Sequence, residues 1–301
     1  MSRLLRRWAE RLRPSRAVPP ATSVFADTQQ SGEIWERRRR SALRYAIWGA
    51  IAGAVVGLFV AAPAAWLAAA VSAASGDRVR LAEARGTVWQ GSAIVVLTGG
   101  SGSRDAAALP GRMGWTLRPQ GLALALTLRH ACCLFGPTTI RIEPGLGRHA
   151  IVLPTAPAGI GQWPAATLTG LGTPFNTLQL GGTLRLSSPG ARIELLQGRW
   201  QLDGQLVLDL QGVSSRVATL DELGSYRVLV SGRRSGGDGT TTLQISTLGG
   251  PLQVSGQGQW VGPNLRFRGE ASAAEGSEPA LNNLLNIIGR RQGKRSVITI
   301  G

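Results

Sequence analysis

Cysteine and histidine are both scarce in this chain of 301 residues. It has two cysteines, Cys132 and Cys133, which are adjacent, and two histidines, His130 and His149. Neighbouring cysteines can close only a small, strained ring, so the sequence supplies no disulfide framework and the fold must depend on its core. Histidine-dependent catalysis would have to use one of these two side chains.

Motifs of common catalytic and metal sites are also lacking. No G-x-S-x-G elbow, P-loop or H-E-x-x-H sequence surrounds either histidine. The two histidines and two cysteines could be drawn as a zinc site, but cysteine ligands of zinc normally have a spacer between them. Asp221 and Glu222 are the only adjacent acids. We therefore predict a protein that is not an enzyme, with no catalytic, cofactor-binding or metal-binding residues.

Acidic residues are half as frequent as basic ones, with 17 Asp and Glu against 33 Lys and Arg and a formal net charge of +16. Residues 1–44 hold 11 of the arginines and 4 acids, which predicts a largely disordered cytoplasmic tail that contacts membrane lipids. No nucleic-acid-binding motif accompanies the basic residues, so we predict no nucleic-acid partner. Nothing in the sequence predicts a small-molecule substrate.

An uncharged stretch of 27 residues runs from Tyr45 to Val71. A bilayer core needs roughly 20 apolar residues in a helix, so 45–71 is predicted to be a transmembrane helix. A cleavable signal peptide is the alternative, because Val71-Ser72-Ala73 resembles a processing site. The apolar run is about twice the length of a signal core, and a 44-residue tail precedes it, which favours an uncleaved anchor.

Arginines cluster before this stretch, whereas the next basic residue after it is Arg78, beside Asp77. Positive charge stays on the cytoplasmic side, so the amino terminus is predicted to be cytoplasmic and residues 72–301 periplasmic, in a single-pass protein of the inner membrane. The predicted ends of the anchor are marked by five arginines and two tryptophans: Arg37, Arg38, Arg39, Arg40, Arg44, Trp48 and Trp66.

Beyond the anchor, hydrophobic residues alternate with a period of two and glycine is abundant, with 41 in the chain. Short strands separated by turns explain this pattern. We predict a mainly β periplasmic domain, an elongated and curved antiparallel sheet with a short C-terminal helix. About ten strands are predicted, including Thr139–Ile142, Ile193–Leu196, Gln205–Leu210, Tyr226–Val230 and Leu265–Gly269.

The helix is predicted to start near Glu278-Pro279 and to stop at Gly289, before a final strand over 296–300. Its apolar face consists of Leu281, Leu284, Leu285 and Ile288. This segment is the candidate partner-contact surface.

Four tryptophans precede strands after a glycine or arginine: Trp89, Trp115, Trp200 and Trp260. Large aromatics usually serve packing, so they are predicted to cover the edge or open end of the sheet. The alternative is a stripe that lines a lipid groove or binds a partner.

Several glycine-rich strings in this region resemble the type II secretion system protein N family. They are GTVWQGSA from Gly86, LGGTLRLSSPG from Leu180, LDELGSYRVLVSG from Leu220 and LNNLLNIIGRRQGKRSVITIG from Leu281. The resemblance covers roughly 80–301. The basic amino-terminal extension of this chain, about 40 residues long, departs from the short tail that is usual in the family.

The resemblance implies an inner-membrane component of the general secretion pathway, which exports folded periplasmic proteins across the outer membrane of Gram-negative bacteria. It implies no enzymatic residues, and it implies other inner-membrane or periplasmic secretion-system proteins as partners. A periplasmic β-groove protein of the AsmA-like kind, which handles or transports lipids, is the alternative, since the strands would also expose alternate apolar side chains along one face.

Overall fold

The computed structural model describes residues 43–145, 147–196, 199–233, 240–262 and 264–301. The chain divides into two compact units, one ending at Val60 and one spanning Ala61–Gly301. The predictions for the tail, including those for Arg37, Arg38, Arg39 and Arg40, lie outside the described residues.

The first unit contains helix α1, Leu43–Val60. Its 18 residues have a mean hydropathy of 1.7, and at 1.5 Å per residue the helix is about 27 Å long, close to the thickness of a bilayer core. All of its residues are exposed. By length and composition, α1 can cross a membrane.

The predicted anchor over 45–71 is not one continuous helix, because α1 ends at Val60 and a second helix, α2, spans Ala64–Ala74. Pro63 has extended dihedral angles, and a proline also disfavours a helical conformation of the residue before it. The carbonyl of Ala62 accepts a hydrogen bond from the backbone N–H of Val88 at 2.8 Å. The chain therefore enters the β domain at this break between the helices, and α2 belongs to that domain.

Antiparallel strands make up most of the second unit. In the described part of the chain, sixteen strands form one sheet: β1 Val79–Gly86, β2 Gln90–Thr98, β3 Ala106–Ala108, β4 Met113–Gln120, β5 Ala123–Arg129, β6 Thr138–Glu143, β7 Arg148–Leu153, β8 Ala156–Pro164, β9 Leu180–Leu196, β10 Arg199–Ser215, β11 Gly224–Arg233, β12 Thr240–Gly249, β13 Leu252–Val261, β14 Asn264–Ala273, β15 Arg290–Gln292 and β16 Arg295–Ile300.

The sheet is a meander in which most strands pair with their neighbours in sequence. Its order is β1-β2-β4-β5-β6-β7-β9-β10-β11-β12-β13-β14-β16-β15. Strands β3 and β4 both pair with β2, over different parts of its length, and β7 and β8 pair with β9 in the same way. With 57% of the structure in strands, the predicted mainly β fold is confirmed.

Three short helical segments complete the second unit after α2. A 3-10 helix spans Ala165–Leu171, α3 spans Phe175–Leu178 and α4 spans Glu278–Ile288. The bounds of α4 agree with the prediction, because Pro279 suits the first turn of a helix, where an N–H has no partner in any case.

The core has two separate centres. Near the C-terminal end of the sheet, α4 packs on residues of β10, β11, β13 and β14 and on Leu223, which precedes β11. The buried residues of this cluster are Val213, Leu223, Tyr226, Leu252, Ala271 and, on α4, Leu281, Leu284 and Leu285. Near the other end, Ala64 of α2, Ala93 and Trp115 form a smaller buried cluster.

Glycine serves close packing as well as turns. A Cβ atom on Gly91 would lie 2.5 Å from the Trp115 ring, and one on Gly256 would lie 2.4 Å from the Phe267 ring. Each aromatic ring thus lies directly over backbone that has no side chain. Turns alone, which the sequence analysis invokes, do not explain the glycine content.

Candidate interaction surface

The last strand of the sheet has an open edge. On one side, β16 pairs with β14 from Arg295 to Ile300. On the other side, β15 pairs only with Arg295–Val297. Among the described strands, none covers Ile298–Ile300 on that side. Unpaired backbone N–H and C=O groups at such an edge can form hydrogen bonds with an added strand.

The open edge carries one large apolar side chain and is flanked by positive charge. The Ile300 side chain is 52% exposed. On β14, Arg268 stands opposite Thr299, and Arg266 follows on the same face. Both arginines are exposed, and they line a cavity of about 530 Å³ that also includes Ile300. The surface is suited to an extended segment that carries acidic residues.

Helix α4 does not present its apolar face to a partner. Leu281, Leu284 and Leu285 are buried against the sheet, and Ile288 packs beside them. The face for which the sequence analysis predicts a contact is therefore occupied within the domain. A partner could reach only the outer face of α4, where Ile287 is 47% exposed.

The four tryptophans do not share one role. Trp115 is buried and donates a hydrogen bond from Nε1 to the Val88 carbonyl at 3.1 Å, so the packing interpretation is correct for it. Trp89 and Trp260 are partly buried. For Trp200 the packing interpretation is wrong, because its side chain is 61% exposed. It stands opposite Leu195 near the start of β10, where the pair of strands ends.

A cluster of ion pairs, which the sequence analysis misses, joins β6, β7 and β9. Arg192 donates to Glu143 at 2.7 Å and to Glu194 at 2.6 Å, and Arg148 donates to Glu194 at 2.9 Å. Glu194 is buried. The hydrogen bond from Arg192 lowers the pKa of Glu143, and the bonds to both carboxylates raise the pKa of Arg192. The hydrogen-bonded pairs are 46 or 49 positions apart, or two positions apart within β9, so no local sequence motif indicates the cluster.

Three of the four residues of the hypothetical zinc site, His130, Cys132 and Cys133, lie close together. His130 is buried, neither of its ring nitrogens has a hydrogen-bond partner, and burial lowers its pKa. One ring nitrogen of His130 and the sulfurs of Cys132 and Cys133 lie within 4.8 Å of one another, but the two sulfurs are bonded to each other. A disulfide sulfur is not the thiolate that binds metals.

The remaining anchor residues lie in different helices. Arg44 and Trp48 are exposed on α1, whereas Trp66 lies on α2 and is 52% exposed. Trp66 therefore belongs to the β domain and does not mark the end of a continuous span.

Comparison with known proteins gives one match. The sequence model of type II secretion system protein N matches residues 77–298, which is most of the chain. The chain belongs to this family. The resemblance that the glycine-rich strings predict is thereby confirmed. No curated protein and no solved structure matches the chain.

The strings that resemble the protein N family are packing sites in the structure. The buried Tyr226 hydroxyl lies 3.0 Å from the carbonyls of both Leu223 and Leu252, to which it can donate. Burial, and then the nearby Glu222 charge, raise the pKa of Tyr226. A Cβ on Gly224 would lie 2.3 Å from the Gly249 carbonyl oxygen. These residues hold strands together.

Proposed function

We propose that this protein N family member acts in type II secretion by binding other components of the system, without catalysing a reaction. Family membership makes it a secretion component. Its described contacts are those of a packed sheet, with buried charges in ion pairs and buried hydroxyls in hydrogen bonds. The role in export of folded periplasmic proteins across the outer membrane comes from the family.

The membrane arrangement is part of the proposal. Family membership and the apolar helix α1 fit a single-pass membrane protein. The arginines before the helix favour a cytoplasmic amino terminus in the inner membrane and a periplasmic domain. A reporter that is active only in the periplasm should be active after Gly301. Activity only when it is fused before Arg37 would reverse this orientation.

The open edge of β16 is the observation that carries the binding proposal. An added strand would gain backbone hydrogen bonds along Ile298–Ile300, while Ile300 would supply apolar contact. Arg266 and Arg268 favour a partner segment with acidic residues. Because the anchor would hold the domain beside other membrane-bound components, even a weak contact would act at high effective concentration.

Charge reversal at the edge tests the proposal. Arg268→Glu should reduce secretion of exported enzymes and crosslinking to the partner, while protein abundance stays unchanged. Arg118→Glu makes the same change at an exposed arginine of β4 and should have little effect. Normal secretion with Arg268→Glu combined with Ile300→Glu, in a stably present protein, would show that this edge is not the contact.

Deletion of residues 281–301 is a poor test, although the sequence alone suggests it. The deletion would remove three buried leucines of the larger core, so loss of secretion would report unfolding. The AsmA-like alternative, transport of lipid, has no support from the comparisons. Normal export in a complete deletion strain would contradict the secretion role itself.

A further inference from the structure

We propose that α2 lies against the bilayer surface and fixes the β1 end of the sheet to the membrane, so that the protein has a second, peripheral membrane contact besides α1. The proposed partner is the lipid surface. This inference rests on the membrane anchor in the proposed function and goes beyond it, because an anchor alone would not fix the orientation of the domain at the membrane.

Helix α2 is apolar throughout its length. Its eleven residues, AAWLAAAVSAA, contain no charge and only one polar side chain, Ser72. A helix that is apolar on all sides is normally buried on all sides, in a protein core or in a membrane. The absence of charge extends from Tyr45 to Gly76 and so includes both helices and the break between them.

The domain buries only one side of α2. Ala64 is buried in the smaller core, and Leu67 packs against the same cluster. Ala65, Trp66, Ala69 and Ala70 are exposed. The exposed side therefore has no polar residue that suits water, and it includes an indole, a side chain enriched at membrane interfaces.

The connection between α1 and α2 is short. Three residues separate Val60, the last residue of α1, from Ala64, the first of α2. Four residue steps span at most about 14 Å, so α2 must begin near the place where α1 leaves the bilayer. The connecting residues are also held by the β domain, because Val88 donates a hydrogen bond to Ala62 and Pro63 pairs with Thr87. A lipid surface is the nearest apolar partner for the exposed side.

The contact would orient the domain. Because α2 packs on β1 and β2, its attachment would place this end of the sheet at the membrane. The open edge of β16 lies at the opposite end of the strand order. The surface for lipid and the surface for a protein partner would then involve different strands.

The test uses the full-length protein in nanodiscs of phosphatidylethanolamine and phosphatidylglycerol. A nitroxide-bearing amino acid replaces Ala69 on the exposed side of α2 or, as the matched control, Ile287 on the exposed side of α4. Collision rates are measured with oxygen, which concentrates in lipid, and with a water-soluble nickel complex. We expect position 69 to be accessible to oxygen and protected from nickel, and position 287 to be accessible to nickel.

Equal nickel accessibility at the two positions, in a protein that resists carbonate extraction, would overturn the inference and leave the anchor intact. Release of the protein by carbonate would overturn both. A second variant tests the cause: Ala65→Glu with Ala73→Glu puts two charges on the exposed side, where they should not disturb the core. We expect nickel accessibility at position 69 to rise to the value of the control. Unchanged protection in this variant, with the fold preserved by circular dichroism, would contradict burial in lipid.

Discussion

The two ends of the sheet are each covered by one eleven-residue helix, but the helices differ in composition. Helix α4 buries three leucines and exposes Asn282, Asn283 and Asn286 on its outer side. Helix α2 buries an alanine and exposes further alanines and Trp66. The residues on the outer face of a helix that packs on a sheet thus indicate the medium that this face contacts. Water suits α4, and a lipid surface suits α2.

The cores beneath the helices differ as well. The cluster at α4 has eight buried residues, three of them on the helix, whereas the cluster at α2 has three, one of them on the helix. In the smaller cluster, the Trp115 ring also lies over the backbone of Gly91. The C-terminal end should therefore depend mainly on buried aliphatic side chains, and the other end on how closely the Trp115 ring packs.

The largest expected effect is at the α4 end. Leu285→Ala removes a fully buried side chain and should lower the free energy of unfolding by about 2–5 kcal/mol. Ile287→Ala, on the exposed side of the same helix, is the control and should change it by less than about 0.5 kcal/mol. Denaturant unfolding of the purified protein measures both. Equal losses of unfolding free energy in Leu285→Ala and Ile287→Ala would mean that α4 is not the main core element.

A somewhat smaller effect is expected at the α2 end from added volume. Gly91→Ala places a methyl group 2.5 Å from the Trp115 ring, and such overpacking typically costs about 1–3 kcal/mol. The matched control is Gly136→Ala, where nothing lies within 4 Å of the new Cβ. Thermal unfolding compares the two. If Gly91→Ala were as stable as the control, the aromatic contact would not support this end.

The smallest effect concerns the ion-pair cluster between the two ends. The pKa of Glu143 is lowered, chiefly by its hydrogen bond from Arg192, so its stabilisation is present above the unfolded pKa, about 4.3, and is lost as the pH falls through the lower folded pKa. Glu143→Gln should lower the melting temperature slightly at pH 7 and by less at pH 3. Glu275→Gln, at an exposed glutamate before α4, is the control. A difference in melting temperature between Glu143→Gln and the unsubstituted protein that grows as the pH falls would contradict the predicted pH dependence.

Hydrophobic patterning was sufficient for much of this fold. Period-two alternation indicates the strands, and Pro279 and Gly289 delimit α4, because these signals are local. The contribution of Pro63 was harder to predict, since an uncharged run of 27 residues is long enough to span a membrane and conceals the break within it. Only the pairing with Thr87 and Val88, more than twenty residues later, shows that the chain enters the β domain there.

The candidate surface was less predictable than the fold. The apolar stripe of α4 is equally compatible with a core and with a partner, and only its position on the sheet decides between them. Trp200 resembles Trp115 in its local sequence, yet one is exposed and the other buried, because burial depends on what lies across the strand. The open edge of β16 follows from the short pairing of β15, which no single strand reveals.

Photocrosslinking in living cells tests most directly the claim that the two ends meet different surroundings. A benzophenone amino acid is placed at Ile300 or at Ala69 in the full-length protein, in cells that secrete through the type II system. The account predicts a protein adduct from position 300 that disappears when other secretion components are deleted, and no protein adduct from position 69. No adduct from position 300 in cells that secrete normally, or the same protein adduct from position 69, would contradict it.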